Sequence, residues 1–395
     1  MRVLFMMFVF PDMNISFNMY TALVEEFAKN GHEIFVIAPG KEPTGIKIEK
    51  GINILRVKTF PIKNIPNLLK GVSNILLPFQ FEMALRKFYA GVRFDLIISP
   101  TPPVTFVDLV SRIKKKHKSK FYLILRDIFP QNAVDLGMMK KKGITHRYFR
   151  NKEKKLYKEA DFIGCMSQGN IDYIIKHNTH ISLNKLQILN NCQIPYENYG
   201  LSKTNILKEY GIENKFVVVF GGNMGKSQQL ENVLELAQAC EIYPDVLFLL
   251  IGEGVLMKKI ELDIQKRNNN NIKLMGTISK QKFQNLINEC QLGLISLHQD
   301  FTIPNIPSKT LDYFNVGIPV LASIDQATDF NKILEEAKAG LWSYAGDHKT
   351  FKKNFDRIYS NPELRKIMGK NGRLYFEKYL TPNLAYKTII EKVVF

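Results

Sequence analysis

Two charged residues three positions apart single out residues 307–322 as a candidate ligand site. The sequence there predicts a loop carrying Lys309, a short helix carrying Asp312, a stop at Gly317 and then an apolar strand. Ser308 is placed to cap the helix, so Lys309 would lie at its positive end, where backbone N–H groups also favour an anion. A cation for phosphate and a carboxylate for hydroxyl groups, on one helical face, are what a nucleotide-sugar pocket needs. An ordinary capped helix in an α/β sheet would carry the same pattern.

A glycine-rich turn at residues 220–229 is a second candidate phosphate site. It joins an apolar strand to a predicted helix at Leu230–Cys240, and Gly222 would let a ligand approach the backbone closely. The helix N-terminus and Lys226 would together favour a diphosphate. The turn matches neither the P-loop nor the GxGxxG pattern, which disfavours ATP and NAD. A plain tight turn is the alternative interpretation.

Arg126 and Asp127 end a predicted strand in the first half of the chain. Arg126 cannot be a general base because a guanidinium stays protonated, but it could pair with a phosphate or another acceptor anion. Asp127 could act as a base, orient an acceptor hydroxyl, or simply form an ion pair with Arg126. Neighbouring residues on a strand point to opposite sides, so we expect only one of the two to reach a bound sugar.

Length and composition predict two domains, since 395 residues exceed what a single core usually supports. No run of 18 apolar residues occurs, and the apolar start at residues 1–10 lacks a small-residue cleavage site. We therefore expect neither a membrane span nor a signal peptide. The four cysteines are scattered, with no CxxC pair, so we expect them to be free, buried and structural in a reducing cytoplasm.

Positive charge is concentrated in the first half of the chain. Of the net charge of +18, residues 1–200 carry +14, with lysine clusters at 114–120, 140–142 and 152–155. This imbalance predicts a polyanion or an anionic membrane surface as a partner, and the apolar, charge-poor segment 65–81 favours the membrane. A solvated lysine-rich surface and a core helix at 65–81 are the alternatives.

Strands and helices alternate through both halves, as in parallel sheets with helical crossovers. In the first half the predicted strands are Val3–Phe10, Glu33–Ala38, Asn53–Lys58, Asp95–Ser99, Phe121–Leu125, Phe162–Met166 and Gln187–Asn190, and the predicted helices are Asn18–Asn30, Pro103–Lys118 and Thr145–Glu159. In the second half the predicted strands are Phe216–Gly221, Val246–Gly252, Ile272–Met275, Leu292–Ser296, Pro319–Ala322 and Gly340–Tyr344. We expect an α/β protein with two Rossmann-like domains facing across a deep cleft, and ligands at the carboxyl ends of the strands.

In this order the motifs resemble those of the family 4 glycosyltransferases, which have the GT-B fold. That family carries Glu-x7-Glu before a Gly-x-Pro-Val strand, and its bacterial surface-polysaccharide branch often has Pro-Ser-Lys at this place. Matching at Gly317 puts the second Glu at Asp312 and the first at Pro304. The resemblance implies that Asp312 holds the ribose of the donor, whereas contact with the donor sugar through the first Glu does not carry over.

The same resemblance assigns the other candidate residues. Gly222-Asn223 stand in place of the family's Gly-Arg, with Lys226 as the cation, and Arg126 stands where many relatives have His. The loop at 10–18 lacks the family's Gly-Gly pair, and helix capping is the alternative role for its polar residues. The donor-site candidates are Gly222, Asn223, Lys226, Gly252, Gly254, Ile278, Ser308, Lys309 and Asp312; the catalytic candidates are Asp127 and Arg126; the acceptor-side candidates are Asn14, Ser16 and Asn18.

The resemblance implies an acceptor-binding domain at 1–195, rejoined by a C-terminal helix at 376–395, and a donor-binding domain at 203–375. The expected reaction moves an N-acetylated hexose or 6-deoxyhexose from a UDP-sugar to a lipid-diphosphate-linked saccharide in capsule or O-antigen synthesis, with retention. We expect a peripheral protein on the cytoplasmic face of an anionic membrane, with no nucleic-acid partner. No Asp-x-Asp motif occurs, so no metal or other cofactor is expected. A UDP-sugar epimerase of similar fold and a non-catalytic protein that binds polyanions or membranes are the alternatives.

Overall fold

The chain forms two compact units. The computed structural model describes residues 1–61, 67–197, 199 and 205–394. Unit 1 comprises Met1–Gln193 together with Pro382–Phe395, and unit 2 comprises Ile194–Thr381. Unit 1 is therefore discontinuous in sequence.

Unit 1 is built on a sheet that has eight strands within the described residues, in the order β3-β4-β2-β1-β5-β6-β7-β8. The pairs are parallel except β3 with β4. The strands are β1 Arg2–Met6, β2 Glu33–Gly40, β3 Gly45–Glu49, β4 Ile52–Lys58, β5 Leu96–Pro100, β6 Lys120–Ile124, β7 Phe162–Cys165 and β8 Leu186–Ile188. Successive strands are added on one side of β1 and then, from β5, on the other. The carboxyl ends of β1 and β5 thus form a topological switch point, where such sheets bind ligands.

Helices cover this sheet. They are α1 Met19–Lys29, α2 Asn67–Phe88, α3 Val107–His117, α4 Gln131–Asp135, α5 Ile144–Glu159 and α6 Gln168–His177. Asn18 caps α1: its side-chain oxygen accepts from the N–H groups of Tyr20 and Thr21, and the Thr21 hydroxyl oxygen accepts from the Asn18 N–H at 2.9 Å. The predicted end of the first helix at Asn30 agrees with the structure, in which Asn30 is the C-cap of α1 and Gly31 follows with a φ of +78°.

A buried ion pair holds the loop that follows β1. The Arg56 guanidinium pairs with the Glu49 carboxylate at 2.6 Å, and both side chains are at least nine-tenths buried. Arg56 also donates to the carbonyls of Phe10 and Pro11, at 2.6 and 2.8 Å, and Glu49 accepts from the Met13 N–H at 2.9 Å. This pair therefore fixes residues 10–13 at the switch point of unit 1.

Unit 2 carries a parallel sheet with six strands in the described part of the chain, ordered β11-β10-β9-β12-β13-β14, the Rossmann arrangement. The strands are β9 Phe216–Asn223, β10 Val246–Glu253, β11 Ile272–Met275, β12 Leu292–Ser296, β13 Val320–Ile324 and β14 Gly340–Tyr344. The helices are α7 Ile206–Glu209, α8 Glu231–Ala239, α9 Met257–Arg267, α10 Lys280–Glu289, α11 Lys309–Val316, α12 Phe330–Ala337, α13 His348–Tyr359 and α14 Pro362–Tyr379. The switch point lies at the carboxyl ends of β9 and β12.

The chain returns to unit 1 through α15, Pro382–Val394. The expected joining helix at 376–395 is interrupted, since α14 ends at Tyr379 and belongs to unit 2. In unit 1, α15 packs on α1: the Tyr386 ring lies edge-on to Phe27 at 4.8 Å, and its hydroxyl lies 3.0 Å from His32 Nε2. Within the described residues, no helix combines the length and the apolar character needed to cross a bilayer.

Candidate functional site

The strongest candidate site in unit 2 lies at its switch point. The turn after β9, the short helix α11 and the loop between β12 and α11 meet there, since the His298 N–H donates to the Ser227 carbonyl at 3.0 Å. Gln299 N–H donates to Gln229 Oε1 at 2.8 Å. The two loops are thus tied together beside the strand ends where a nucleotide would bind.

Glycines in this region permit close packing of backbone. A Cβ at Gly252 would lie 1.9 Å from the Gly222 carbonyl oxygen, and one at Gly254 would lie 2.3 Å from the Met224 carbonyl oxygen. Met224 N–H also donates to the Glu253 carbonyl at 2.8 Å. Gly252 and Gly254 therefore have a structural reason to be glycine that does not involve a ligand.

Gly222 has a different environment. Its φ of +116° favours glycine, and a Cβ there would lie 3.5 Å from Lys309 Cε. Gly222 and Asn223 are exposed, and the Asn223 amide lies over Gly225, whose added Cβ would be 2.7 Å from Asn223 Nδ2. The exposed backbone of this turn thus runs past the Lys309 side chain.

Lys309 is a partly buried cation. Its ammonium donates to Gln228 Oε1 and lies 4.6 Å from the centre of the Phe220 ring. Burial lowers the pKa of Lys309 to about 8, against the opposing effect of the Asp312 carboxylate. The side chain is therefore a cation held in surroundings that would gain from a bound anion.

Lys226 differs from Lys309 in being exposed. Its ammonium forms no ion pair among the described residues. Lys226 begins a single 3-10 turn, and α8 starts only at Glu231, whose carboxylate pairs with Lys259 at 2.7 Å. The N-terminus of α8 was predicted to favour a diphosphate, but an acidic residue already occupies its first turn.

Asp312 is held by a lysine from another helix. Lys280 Nζ lies 2.5 Å from Asp312 Oδ1, and only 13% of the Asp312 side chain is exposed. The next residue, Tyr313, anchors α11 to the sheet because its hydroxyl donates to the carbonyls of Val219 and Leu294, at 3.1 and 3.2 Å. The sheet and Lys280 together fix the direction of the Asp312 carboxylate.

Three further expectations concern this helix and its surroundings. Ser308 precedes α11, but its side chain makes no capping hydrogen bond because its backbone is already helical, with a φ of −64°. The stop at Gly317 is confirmed by its φ of +72°. Pro304, at the place of the family's first Glu, is buried, and Ile278 is half-buried in the loop before α10. Ile278 offers a ligand only backbone groups and apolar contact.

Arg126 and Asp127 lie beyond the end of β6 in unit 1. The Arg126 N–H donates to Thr101 Oγ1 at 3.0 Å, and its Nη1 donates to the carbonyls of Leu125 and Leu189, at 3.3 and 3.2 Å. Asp127 has an exposed surface, but the surrounding protein raises the pKa of its carboxyl, and the Arg126 charge opposes that rise. No direct ion pair joins these two described residues. The predicted strand to Leu125 also ends one residue early, at Ile124.

The acceptor-side candidates line the loop after β1. Asn18 is the N-cap of α1, as the capping alternative predicted. Asn14 is exposed and accepts from the Lys50 N–H at 3.2 Å, and Ser16 is half-buried, with its N–H donating to the Asp12 carbonyl at 2.9 Å. The structure therefore brings these residues to the switch point of unit 1.

In the part of the chain that the structure describes, neither candidate site contains a disulfide or a cluster of metal-ligand residues. All four cysteines are free and buried, as predicted. Among the residues that the structure describes, no three His, Cys, Asp or Glu side chains are grouped as metal ligands.

Sequence reasoning missed the partners of the candidate residues. Gln228 and Lys280 contact Lys309 and Asp312 from positions 81 and 32 residues away. The Arg56–Glu49 pair was also missed. For Gln228 and Lys280, the sequence offered only one indication of a role, which is that both follow shortly after predicted strand ends.

Two family models match the chain, one to each sheet. The model described as Glycosyltransferase Family 4 matches residues 18–192, and the model described as Glycosyl transferases group 1 matches residues 202–375. WbjE of Pseudomonas aeruginosa, a probable glycosyltransferase, is 23% identical over 288 residues, which are 71% of this chain and 70% of WbjE.

Solved structures give the same fold. HepE of Anabaena in complex with UDP superposes with a TM-score of 0.71 at 14% identity, covering 100% of both chains. WaaG, a glycosyltransferase involved in lipopolysaccharide biosynthesis, gives 0.69 at 15% identity, covering 98% of this chain and 99% of WaaG. Two Rossmann-like units of this kind make up the GT-B fold. The two matches together span most of the residues, so the chain is a glycosyltransferase whose two units match these two family models.

Proposed function

We propose that this glycosyltransferase moves a sugar from a UDP-sugar to a lipid-diphosphate-linked saccharide in the synthesis of capsule or O-antigen. The observation that carries the proposal is the pair of cations, Lys226 and Lys309, beside the exposed turn at Gly222. The UDP complex of HepE and the role of WaaG in lipopolysaccharide biosynthesis support the choice of donor and pathway. The motif resemblance to the surface-polysaccharide branch favours an N-acetylated hexose or a 6-deoxyhexose as the sugar.

In the proposed reaction, an acceptor hydroxyl bonds to the anomeric carbon while the bond from that carbon to the diphosphate breaks. UDP leaves with the bonding electron pair, and the hydroxyl proton passes to Asp127 or to the departing diphosphate. Lys226 and Lys309 stabilise the negative charge that develops on the diphosphate, so that no metal ion is required. Attack on the face from which UDP leaves retains the anomeric configuration. We expect turnover to be unchanged by EDTA.

Replacing Lys309 with Ala should weaken UDP binding by about 1.5–3 kcal/mol, the range for a charge-assisted hydrogen bond. Lys226→Ala should weaken binding by less, since Lys226 is exposed and its interaction is screened. Titration calorimetry measures both, with Lys332→Ala on an exposed face of α12 as the matched control. Unchanged UDP affinity in both variants would show that Lys226 and Lys309 do not bind the diphosphate.

UDP binding should also depend on pH through Lys309. The pKa of Lys309 is about 8 in the free protein, and a neighbouring diphosphate would raise it. Affinity should therefore be highest near pH 7, where Lys309 is charged and the UDP phosphates are ionised, and should fall as pH rises through 8, where binding takes up a proton. Calorimetry at pH 8.5, in two buffers with different ionisation enthalpies, measures this uptake. Lys309→Ala should abolish it, and equal uptake in that variant would contradict the assignment.

We further propose that unit 1 binds an anionic membrane. Two of the three lysine clusters are partly neutralised: Lys114 pairs with Asp161 at 2.8 Å, and Lys152 and Lys155 both pair with Asp108. In contrast, Lys140, Lys141 and Lys142 are exposed and form no ion pair among the described residues. The membrane expectation therefore rests on the 140–142 cluster.

Exposed apolar side chains accompany these lysines. Met138 and Ile144 flank them, and Ile144 is 90% exposed at the start of α5. Residues 138–148, the loop before α5 and the first turn of that helix, thus present cations and apolar side chains side by side, which is the combination that suits a lipid headgroup region.

A second apolar surface lies on α2. The α2 stripe consists of the exposed side chains Val72, Ile75, Phe79 and Met83, spaced by three or four residues along one helix face. Leu77 and Phe81 on the opposite face are fully buried, so α2 is both a core helix and an exposed apolar surface. Both α2 and α5 pack against the turn at 104–106, which puts them on the same side of the sheet.

Lys140, Lys141 and Lys142 changed together to Gln should reduce binding to anionic vesicles. Each cation near the surface contributes about 1 kcal/mol, so the loss should be roughly 100-fold. Sedimentation with vesicles of phosphatidylglycerol and phosphatidylcholine, at low and high salt, measures the effect. Lys349, Lys353 and Lys370 changed to Gln in unit 2 give a control with the same change in net charge. Equal losses in both variants would indicate nonspecific charge attraction.

The experiment that decides the function is incubation with a panel of UDP-sugars, with and without a lipid-diphosphate acceptor. Release of UDP that requires the acceptor supports the glycosyltransferase proposal. Recovery of an epimerised UDP-sugar would indicate an epimerase instead. Vesicle binding without either reaction would indicate a binding protein.

A further inference from the structure

The guanidinium of Arg126 is a cation without a counter-ion. Its Nη1 donates to two backbone carbonyls, and it pairs with no carboxylate among the described residues. The buried Nε has no hydrogen-bond partner in that part of the chain. Arg56, Arg150 and Arg373, which are also mostly buried, each pair with a glutamate.

The Arg126 charge acts on the neighbouring Asp127 carboxyl, but no ion pair joins these two described residues. The other ionisable groups that act on Arg126 are Tyr20, Tyr122, Cys165 and Cys192, and burial raises the pKa of each of them, to about 12 for Tyr20 and the two cysteines. They are neutral near pH 7. A buried cation without compensation is costly, and burial accordingly lowers the pKa of Arg126.

The unused side of the guanidinium has a specific shape. Nη1 is occupied by carbonyls, whereas Nε and Nη2 have no hydrogen-bond partner in the described ranges. These two groups form the edge that binds a carboxylate or phosphate through two parallel hydrogen bonds. The backbone N–H of Arg126 donates to Thr101, which directly follows β5, and its guanidinium donates to Leu189, which directly follows β8, so Arg126 lies at the carboxyl ends of the strands of unit 1.

We propose that Arg126 binds an oxyanion, a carboxylate or a phosphate, carried by one of the substrates. The inference rests on the proposed function, because it assigns the charge to a donor sugar or to an acceptor. A uronic-acid donor would present a sugar carboxylate, and a lipid-linked acceptor would present its diphosphate. The bound anion supplies the missing counter-ion and orients the substrate through both hydrogen bonds.

Two calorimetric titrations distinguish the sources of the anion. In the donor titration, UDP-glucuronate and UDP-galacturonate are compared with UDP-glucose and UDP-galactose. In the acceptor titration, geranyl diphosphate is added with and without UDP. Each is performed on the wild type, on Arg126→Gln, which removes the charge, and on Arg126→Lys, which keeps the charge but loses the two-bond edge.

We expect Arg126→Gln to weaken one class of anionic probe by roughly 10- to 100-fold and Arg126→Lys to weaken it by about tenfold. Affinity for UDP and for the neutral UDP-sugars should stay within about twofold. The melting temperature of Arg126→Gln should be unchanged or higher, because an uncompensated buried charge is removed. A purely structural role would instead lower it.

The proposal is overturned if neither anionic probe distinguishes the wild type from Arg126→Gln while the variant remains folded. It is also overturned if the melting temperature falls and probe affinities do not change. Failure of the wild type to bind UDP would reject the proposed function, whereas the geranyl diphosphate titration without nucleotide would still test Arg126.

Discussion

Asp127→Asn should lower turnover by roughly 10²–10⁴-fold, the usual contribution of a positioned acid or base. The Asn side chain has nearly the same shape but cannot accept a proton at neutral pH. Asp127 is exposed and does not pair with Arg126, so the substitution removes no structural ion pair. Initial rates of UDP release with a lipid-diphosphate acceptor measure the effect.

The control for this variant is Asp172→Asn. Asp172 is also exposed in unit 1, on α6, where its carboxylate accepts from Gln168 Nε2 at 2.8 Å. Both variants should keep the wild-type melting temperature and UDP affinity, but only Asp127→Asn should lose turnover. A turnover within about twofold of the wild type would exclude Asp127 as a catalytic residue.

Arg56→Met should destabilise the protein by about 3–5 kcal/mol, because it leaves the Glu49 carboxylate buried without its cation. The double variant with Glu49→Met should recover much of that stability, since neither charge then remains buried. Urea unfolding followed by circular dichroism measures the free energy change. Hydrogen exchange should accelerate at residues 10–13, which the pair holds in place.

Arg86→Met gives a matched control because it also removes an arginine paired with a glutamate. The Arg86–Glu82 pair is at the surface, and 75% of the Arg86 side chain is exposed. Its loss should cost less than about 1 kcal/mol. If Arg56→Met and Arg86→Met lowered the free energy of unfolding by similar amounts, burial would not determine the strength of the Arg56–Glu49 pair.

The sheets could be predicted well from sequence because their central strands are continuous apolar runs. Strands β11, β12 and β14 begin and end at the predicted residues. The end of the first strand was predicted four residues too late, since Met7 and Phe10 are buried in a loop and not in the sheet. Strand β3 was missed because three of its five residues are exposed and it pairs only at the edge of the sheet.

The candidate site was less accessible to sequence reasoning. Lys309 and Asp312 could be found because they are close together in sequence on one short helix. Their partners, Gln228 and Lys280, come from other loops and helices, and only the fold brings them together. The packing constraint on Gly252 likewise depends on a backbone contact with a neighbouring strand that no local pattern predicts.

The return of α15 to unit 1 has a consequence for the order of folding during synthesis. Ala385 and Ile389 belong to the same buried core as β1 and α1, yet they follow the whole of unit 2 in the chain. At about 5–20 residues per second, the ribosome takes roughly 10–40 s to make residues 194–381. During that time the surface of α1 that α15 later covers, including Phe27, is exposed. We therefore expect nascent unit 1 to expose this apolar surface until α15 has been made.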